Sequence, residues 1–120
     1  MFTVPFATAA QRLAPEPNYL FIESRSSSRD SFGCTTASAL ARGGASVVLL
    51  LVQNAALAAR HGAHAPQLDE AAAAGVALLA DDFALRERGI ARERMRPDVE
   101  PVPIDVVIDR LIDGWQVIWH

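Results

Sequence analysis

The residues best able to do chemistry stand in four polar clusters, each placed directly after a stretch of apolar residues. The clusters are Glu23 to Arg25, Gln53 and Asn54, Asp81 and Asp82, and Trp119 and His120. If the apolar stretches are parallel strands, the clusters meet at the carboxyl edge of one sheet, where such folds bind ligands. Every strand must also end in something polar, so an ordinary sheet edge explains the same pattern.

The segment Ser24 to Ser31 combines hydroxyl groups, two arginines and the predicted start of a helix, which suits it to binding an anion. It contains no glycine before Gly33, unlike the phosphate loops of flavin-binding domains. A solvated turn whose last residues cap the helix is the competing interpretation. The candidate ligand-binding residues are Ser24, Arg25 and Ser28 in this segment, with Asn54, Asp81 and Asp82 at the neighbouring strand ends.

Cys34 is the only cysteine in the sequence, so the chain cannot form an intramolecular disulfide. A reducing compartment is therefore expected. Cys34 lies in the first turns of a predicted helix, where the helix dipole favours a thiolate, and it is the candidate catalytic residue. A lone cysteine on a helix that packs on a sheet also fits the role of a small buried residue.

Other catalytic or metal-binding patterns are weak. Asp81 and Asp82 could act as an acid/base pair or bind a metal, but capping a helix explains them equally well. His61 and His64 stand three residues apart without further ligands nearby, so we expect no metal site. The sequence has no Ser-His-Asp order, Walker loop, GxGxxG or CxxC motif, and no cofactor is expected.

Composition indicates a protein that is soluble and cytoplasmic. Hydrophobic residues make up 51% of the 120 residues and charged residues 21%, the balance of a compact domain. A net charge of −3 gives no reason to expect nucleic acid as a partner. The longest aliphatic run, Val47 to Val52, is too short to cross a bilayer, and the start of the chain makes a poor signal peptide.

The first half of the chain predicts an irregular arm followed by a strand, a helix and a second strand. Residues 1–18 contain three prolines and form the arm, and residues 19–120 form one α/β domain. We predict a strand at Tyr19 to Glu23 and a helix at Phe32 to Arg42. The run Ala45 to Val52 has no polar alternation, which is typical of a central parallel strand covered on both faces.

The second half continues the alternation of helices and strands. The predicted helices are Ala55 to Arg60, Gln67 to Ala74, a short helix capped by Asp81 and Asp82 that stops at Gly89, and Ile104 to Ile112. The predicted strands are Val76 to Ala80, an edge strand at Val99 to Val102, and Trp115 to Trp119. Arg92 to Arg96 is expected on the surface, and the last helix is expected to bury Ile104, Val107, Ile108 and Leu111.

Alternating strands and helices predict a three-layer α/β/α fold with a five-stranded, mainly parallel sheet and a flavodoxin-like layout. Three segments together resemble the DsrE/DsrF-like family, which has the YchN-like fold. The segments are Val47 to Leu57 (VVLLLVQNAAL), Leu68 to Gly89 (LDEAAAAGVALLADDFALRERG), and Ile104 to Trp119. Known members of that family pass persulfide sulfur between cysteines, and the resemblance covers residues 19–120.

The sequence departs from the family where its sulfur-carrying cysteine belongs, just after the third strand. The residues there are Ala80, Asp81, Asp82 and Phe83. Aspartate cannot carry a persulfide, which requires a thiolate nucleophile. The resemblance therefore implies a non-catalytic or accessory subunit of a sulfur-relay type assembly and favours a protein that is not an enzyme. One alternative is a sulfur carrier that uses Cys34, and another is a domain that binds a small anionic ligand or nucleotide.

Members of the family assemble into homo- and hetero-oligomers, so the resemblance implies related DsrE-like subunits as partners, with sulfur-relay proteins as further ones. The composition of the two ends of the chain also favours an oligomer. Phe2, Val4 and Phe6 give an apolar arm, and Trp115 and Trp119 place aromatic area on the last strand. Alternatively, the arm folds back over its own sheet.

Overall fold

Five strands form one parallel sheet in the computed structural model, which describes residues 18–25 and 32–119. The strands are β1 (Asn18–Glu23), β2 (Ser46–Leu51), β3 (Ala77–Asp81), β4 (Val99–Val102) and β5 (Gln116–Trp119). Their order across the sheet is β4-β3-β2-β1-β5, and every neighbouring pair is parallel. Most of the predicted arm lies outside the described residues, and β1 begins at Asn18, one residue before the predicted start.

The helices lie on both faces of this sheet. They are α1 (Phe32–Arg42), α2 (Pro66–Ala73), α3 (Asp82–Glu87) and α4 (Asp105–Ile112), with 3₁₀ helices at Gln53–Ala59 and Arg92–Arg94. The chain moves one way across the sheet from β1 to β4 and then returns to β5. Right-handed crossovers consequently place α1, α2 and α3 on one face and α4 on the other. The predicted three-layer, flavodoxin-like α/β/α arrangement is confirmed.

β2 is buried on both of its faces, as its unbroken apolar sequence predicts. Leu49 packs with Phe21 against the face that carries α1 to α3. Leu50 packs with Leu20 and Ile22 against the face that carries α4. Both leucines are fully buried, with 0% of their surface exposed. A central parallel strand has no solvent face, so polar alternation would be costly here.

Small side chains bring the helices close to the first face of the sheet. Ala37 in α1 and Ala71 in α2 are fully buried, and each packs in the same core as Leu68. Alanine in these positions lets a helix backbone approach the strands without leaving a gap. This face is therefore closed by three helices and by the first 3₁₀ helix.

The opposite face is covered less completely, and the predicted orientation of α4 is wrong in part. Ile104, Ile108 and Leu111 were expected to be buried, but 45%, 59% and 55% of their surfaces are exposed. Val107 packs against the sheet as predicted, together with its neighbour Val106. The reason is geometric: α4 has only eight residues, and its apolar residues are spread over two stripes, only one of which can face the sheet.

Other differences concern element type and ends. Instead of an α-helix at Ala55 to Arg60, the chain forms a tighter 3₁₀ helix at Gln53–Ala59. The helix predicted at Gln67 to Ala74 starts at Pro66, which suits a first helical position because proline lacks an N–H group. The remaining helix and strand ends differ from those predicted by single residues. No helix in the described ranges is long and apolar enough to span a bilayer.

The predicted surface segment Arg92 to Arg96 is exposed only in its first part. Met95 is 7% exposed and packs into the first core. The side chain of Arg96 is 13% exposed and forms ion pairs with Asp69 at 2.9 Å and Asp98 at 2.8 Å. Arg96 consequently connects α2, which contains Asp69, with Asp98, the residue directly before β4.

Truncating Leu50 should remove stability because it leaves a cavity at the centre of the sheet. We expect Leu50→Ala to lower the free energy of unfolding by about 2–5 kcal/mol. Phe83→Ala is the control, since truncation of a side chain in α3 that is 59% exposed should cost less than about 1 kcal/mol. Urea unfolding followed by circular dichroism at low protein concentration measures both. Equal losses would show that β2 is not an interior strand.

The Arg96–Asp98 pair should make stability depend on pH. The hydrogen bonds from Arg96 lower the pKa of the Asp98 carboxyl, and desolvation of Asp98 opposes this in part. The pair therefore stabilises the fold above about pH 3.9, and this contribution is lost as pH falls through the lowered pKa. Because the Asp98 side chain is 39% exposed, screening should keep the effect of Asp98→Asn below about 1 kcal/mol at pH 7.

Urea unfolding of the wild type and Asp98→Asn from pH 7 to pH 3 tests this dependence. The difference between the two proteins should shrink as the wild-type carboxyl protonates. Glu100→Gln is the control, because Glu100 is exposed and forms no ion pair with any described residue. A difference that stays constant over this range would contradict the assignment.

Candidate functional site

The strand order reverses between β1 and β5, and the crevice beyond their carboxyl ends is the expected ligand position in an open parallel sheet. Ser24 and Arg25 follow β1, with Ser24 half-buried and Arg25 exposed. Trp119 ends β5 opposite Ile22 and is 61% exposed. Ser28 and His120 lie outside the described residues. Ser24 and Arg25 on the β1 side and Trp119 on the β5 side are the residues of the predicted polar clusters that the structure describes at this crevice.

A buried carboxylate lies next to the cysteine beneath α1. Glu23, the last residue of β1, is 4% exposed, and Cys34 is 3% exposed. A side chain at Gly33 would place its Cβ only 2.6 Å from Glu23 Oε1, so any larger residue where α1 crosses the end of β1 would require the Glu23 carboxylate to move. Ser38 donates a hydrogen bond of 2.8 Å from its hydroxyl to the Cys34 carbonyl. This helix start is packed tightly onto the sheet.

The space beside Cys34 is too small for a ligand. It has a volume of about 10 Å³ and is lined by Glu23, Arg25 and Gln67 among others. A cavity of this size holds about one water molecule. Cys34 is thus a buried residue outside any disulfide, in keeping with its interpretation as a small core residue. Its assignment as a catalytic residue stays a prediction.

Asp81 and Asp82 have separate structural contacts. Asp81 is 8% exposed, and its Oδ1 accepts a hydrogen bond of 3.3 Å from Phe83 N, which caps α3 as predicted. Asp82 forms an ion pair of 3.5 Å with Arg86 one turn later in the same helix. The two carboxylates therefore stabilise the start of α3 in different ways, and no joint acid/base role follows from this geometry.

Asn54 lies away from the β1 end, in the first 3₁₀ helix. Its Oδ1 accepts a hydrogen bond of 2.9 Å from Arg88 Nη2, just after α3. The candidate ligand-binding residues that the structure describes are thus divided among the end of β1, the start of α3 and the 3₁₀ helix. None of the three most prominent clefts in the described ranges is lined by more than one of them. Within the described ranges no group of three or more His, Cys, Asp or Glu side chains is placed to hold a metal ion.

Sequence reasoning missed a basic cleft on the α1–α3 side of the sheet. The cleft has a volume of about 380 Å³. The side chains that matter for its charge are those of Arg60, His61, Arg88, Glu93 and Arg94. The signal in the sequence that could have revealed this cleft was the high density of arginine between residues 86 and 96. That signal was interpreted only as an exposed segment, because nothing in the sequence places Arg60 and His61 beside it.

Comparison with known proteins gives matches at the level of structure. No protein-family model matches the chain, and no curated protein is similar to it in sequence. The ychN protein from E. coli superposes with a TM-score of 0.73 at 16% identity, over 88% of this chain and 100% of that chain. MTH1491 from Methanobacterium thermoautotrophicum, a protein of unknown function, gives 0.67 at 15% identity, over 88% and 100%.

BT1422 from Bacteroides thetaiotaomicron, a conserved protein of unknown function, gives a TM-score of 0.67 at 15% identity, over 85% of this chain and 94% of that chain. Identities this low establish the fold alone. The ychN protein has a DsrE/DsrF-like fold. The chain therefore has the YchN-like fold of the DsrE/DsrF-like proteins, as the sequence resemblance implied.

Proposed function

We propose that the protein is a non-catalytic, accessory subunit of a DsrE-like assembly in the sulfur metabolism of the cytoplasm. The observation that carries the proposal is the junction of β3 and α3. The resemblance places the sulfur-carrying cysteine there, and this chain has Asp81 and Asp82 instead. Both aspartates are engaged with α3 itself, through the Phe83 N–H group and Arg86.

The chemistry of persulfide transfer supports this interpretation. The step needs a thiolate that attacks the donor sulfur and then presents it to an acceptor. Carboxylate oxygen is neither polarizable nor able to hold sulfur in a labile bond. Phe83, next to the aspartates, is 59% exposed, so this edge of the sheet presents an apolar side chain in the position where catalytic relatives would present a thiol.

The alternative of a sulfur carrier that uses Cys34 has weaker support. Its thiol lies under α1 with 3% of its surface exposed. A persulfide donor would have to reach it through a space of about 10 Å³. Labelling of Cys34 would therefore require α1 to move away from the end of β1.

Assembly is supported by an uncovered apolar face, here called the α4 face. It consists of the exposed side chains Ile104, Ile108, Leu111, Ile112 and Trp119. Ile104 precedes α4 directly, and together with the three residues of the helix it follows a spacing typical of one helical stripe. Trp119 ends the adjacent edge strand. Exposed apolar groups that lie together usually mark an interface. We assign this face to contact with a second copy or with a related DsrE-like subunit.

The first prediction from this proposal concerns oligomeric mass. Light scattering of the wild type should give a multiple of the 12.9 kDa chain mass. Ile108→Glu/Ile112→Glu should dissociate the assembly, since it would bury charge in an apolar contact. Both sites are exposed, at 59% and 78%, so the chain should still fold.

The control adds the same charge on the opposite side of the sheet. Ala39→Glu/Ala73→Glu changes exposed positions of α1 and α2, and the mass should stay that of the wild type. A wild-type mass near 12.9 kDa at every dilution would refute the assembly. Equal dissociation by both double variants would place the interface elsewhere.

The second prediction concerns sulfur. Mass spectrometry after incubation with a persulfide donor should show no added sulfur on the folded wild type. Cys34→Ser/Asp82→Cys should gain one labile sulfur, because the new thiol stands at the start of α3 one turn from Arg86, a setting that favours thiolate. Cys34→Ser alone should remain unlabelled.

Asp82 is the better position for this test because Asp81 remains to cap α3. If Cys34 of the folded wild type is labelled as fast as Cys34 of the urea-unfolded chain, the result would favour the alternative function, a sulfur carrier that uses Cys34. If Cys34→Ser/Asp82→Cys gains no sulfur, the β3–α3 junction does not correspond to the sulfur site of the family.

A further inference from the structure

The basic cleft concentrates positive charge in a chain whose net charge is −3. Arg60, Arg88 and Arg94 line it with His61, and Glu93 is the only carboxylate among the described residues that do so. Guanidinium groups stay protonated at any physiological pH. Three permanent positive charges therefore share one space with a single negative charge.

Backbone contacts hold the walls of the cleft in place. The His61 N–H group donates to the Arg94 carbonyl at 2.6 Å, and Arg60 pairs with Met95 as an antiparallel bridge. Gly89 makes the turn after α3 at a φ of 67°, a left-handed conformation that favours glycine. The segments that carry the arginines are thus fixed to one another before any ligand arrives, which lowers the entropy cost of binding.

Two of the guanidinium groups are also oriented by hydrogen bonds. Arg88 donates from Nη1 to the Ala84 carbonyl at 3.2 Å and from Nη2 to Asn54 Oδ1 at 2.9 Å. Arg60 donates from Nε to the Leu57 carbonyl at 2.8 Å. These bonds use only part of each guanidinium, so its other N–H groups remain available to a ligand.

The arginines of the cleft form no ion pairs with other described residues. Across residues 18–25 and 32–119, Arg42, Arg86 and Arg96 form ion pairs, whereas none of Arg60, Arg88 and Arg94 does. Like charges held in one cleft repel each other, and an anion bound between them relieves that repulsion. The planar guanidinium groups match the oxygens of phosphate and sulfate groups.

We propose that this cleft binds a small, compact oxyanion of the phosphate or sulfate class. Its volume of about 380 Å³ is sufficient for a small ligand. Among the described residues that line it, Ile90 is the only one with a purely apolar side chain and none is Phe, Tyr or Trp, so a nucleotide base would find little apolar surface to pack against. Neither Ser24 nor Arg25 is among the described residues that line it. The assignment does not depend on the accessory-subunit proposal.

Isothermal titration with inorganic phosphate and with sulfate, at ionic strength held constant with chloride, tests the site. The wild type should bind at least one of them saturably, and affinity should fall as salt is raised. Arg94→Gln and Arg60→Gln should each weaken binding about tenfold or more, because each removes charge-assisted hydrogen bonds. Glu93→Gln should strengthen it, because the opposing carboxylate is gone.

Arg92→Gln is the matched control, since Arg92 lies on the same 3₁₀ turn but does not line the cleft. It should change affinity less than about twofold, as expected for a charge that the ligand does not contact. Circular dichroism of each variant establishes that it is folded. Dissociation constants above about 10 mM for both ions would overturn the proposal. So would an equal loss of affinity in Arg94→Gln and Arg92→Gln.

A short single-stranded oligonucleotide is the third ligand in the titration. The oligonucleotide could bind more tightly than phosphate, with its affinity reduced as much by Arg92→Gln as by Arg94→Gln. The protein would then bind an extended polyanion over a surface wider than the cleft. That result would overturn the assignment to a compact ligand. An oligonucleotide that binds no better than phosphate supports it.

Discussion

Burial of β1 and β2 on both faces is the constraint from which the rest of the structure follows. Their central residues, Leu20, Ile22, Leu49 and Leu50, have no exposed surface, so each face of the sheet must be covered by other elements. Parallel strands need long crossovers, and those crossovers supply the covering helices. Because β1 to β4 follow one another across the sheet, three crossovers cover one face, and the single return to β5 must cover the other with α4.

This uneven coverage explains why the α4 face is apolar on its outside. One helix of eight residues shields the sheet with Val106 and Val107 and leaves Ile108 and Ile112 facing outwards. The Arg110 guanidinium lies 4.8 Å from the centre of the Trp115 ring. This cation–π contact, rather than aliphatic packing, fills the space beside the short helix. A monomer would gain solubility from polar residues in place of the exposed isoleucines, so their presence supports a role in contact between subunits.

The sequence predicted the features that depend on local pattern. The apolar run of β2, the glycines that end α1 and α2, and the cap at Asp81 each have a local physical cause, and all lie within one residue of the predicted positions. Features set by distant contacts were not predictable. The rotation of α4 depends on which of its two apolar stripes meets the sheet. The basic cleft depends on the bridge between Arg60 and Met95, which joins segments that are far apart in the sequence and brings Arg60 and Arg94 to one cleft.

The cleft and the α4 face lie on opposite sides of the sheet, since Ile90 and Met95 belong to the core under α1 to α3, whereas α4 packs on the other core. Assembly through the α4 face would therefore leave the cleft open to solvent. Arg88 joins the cleft to the 3₁₀ helix through Asn54, and it follows directly after α3, the helix that starts at Asp81 and Asp82. A ligand that contacts Arg88 would therefore lie at the end of α3 opposite to its start at the β3–α3 junction.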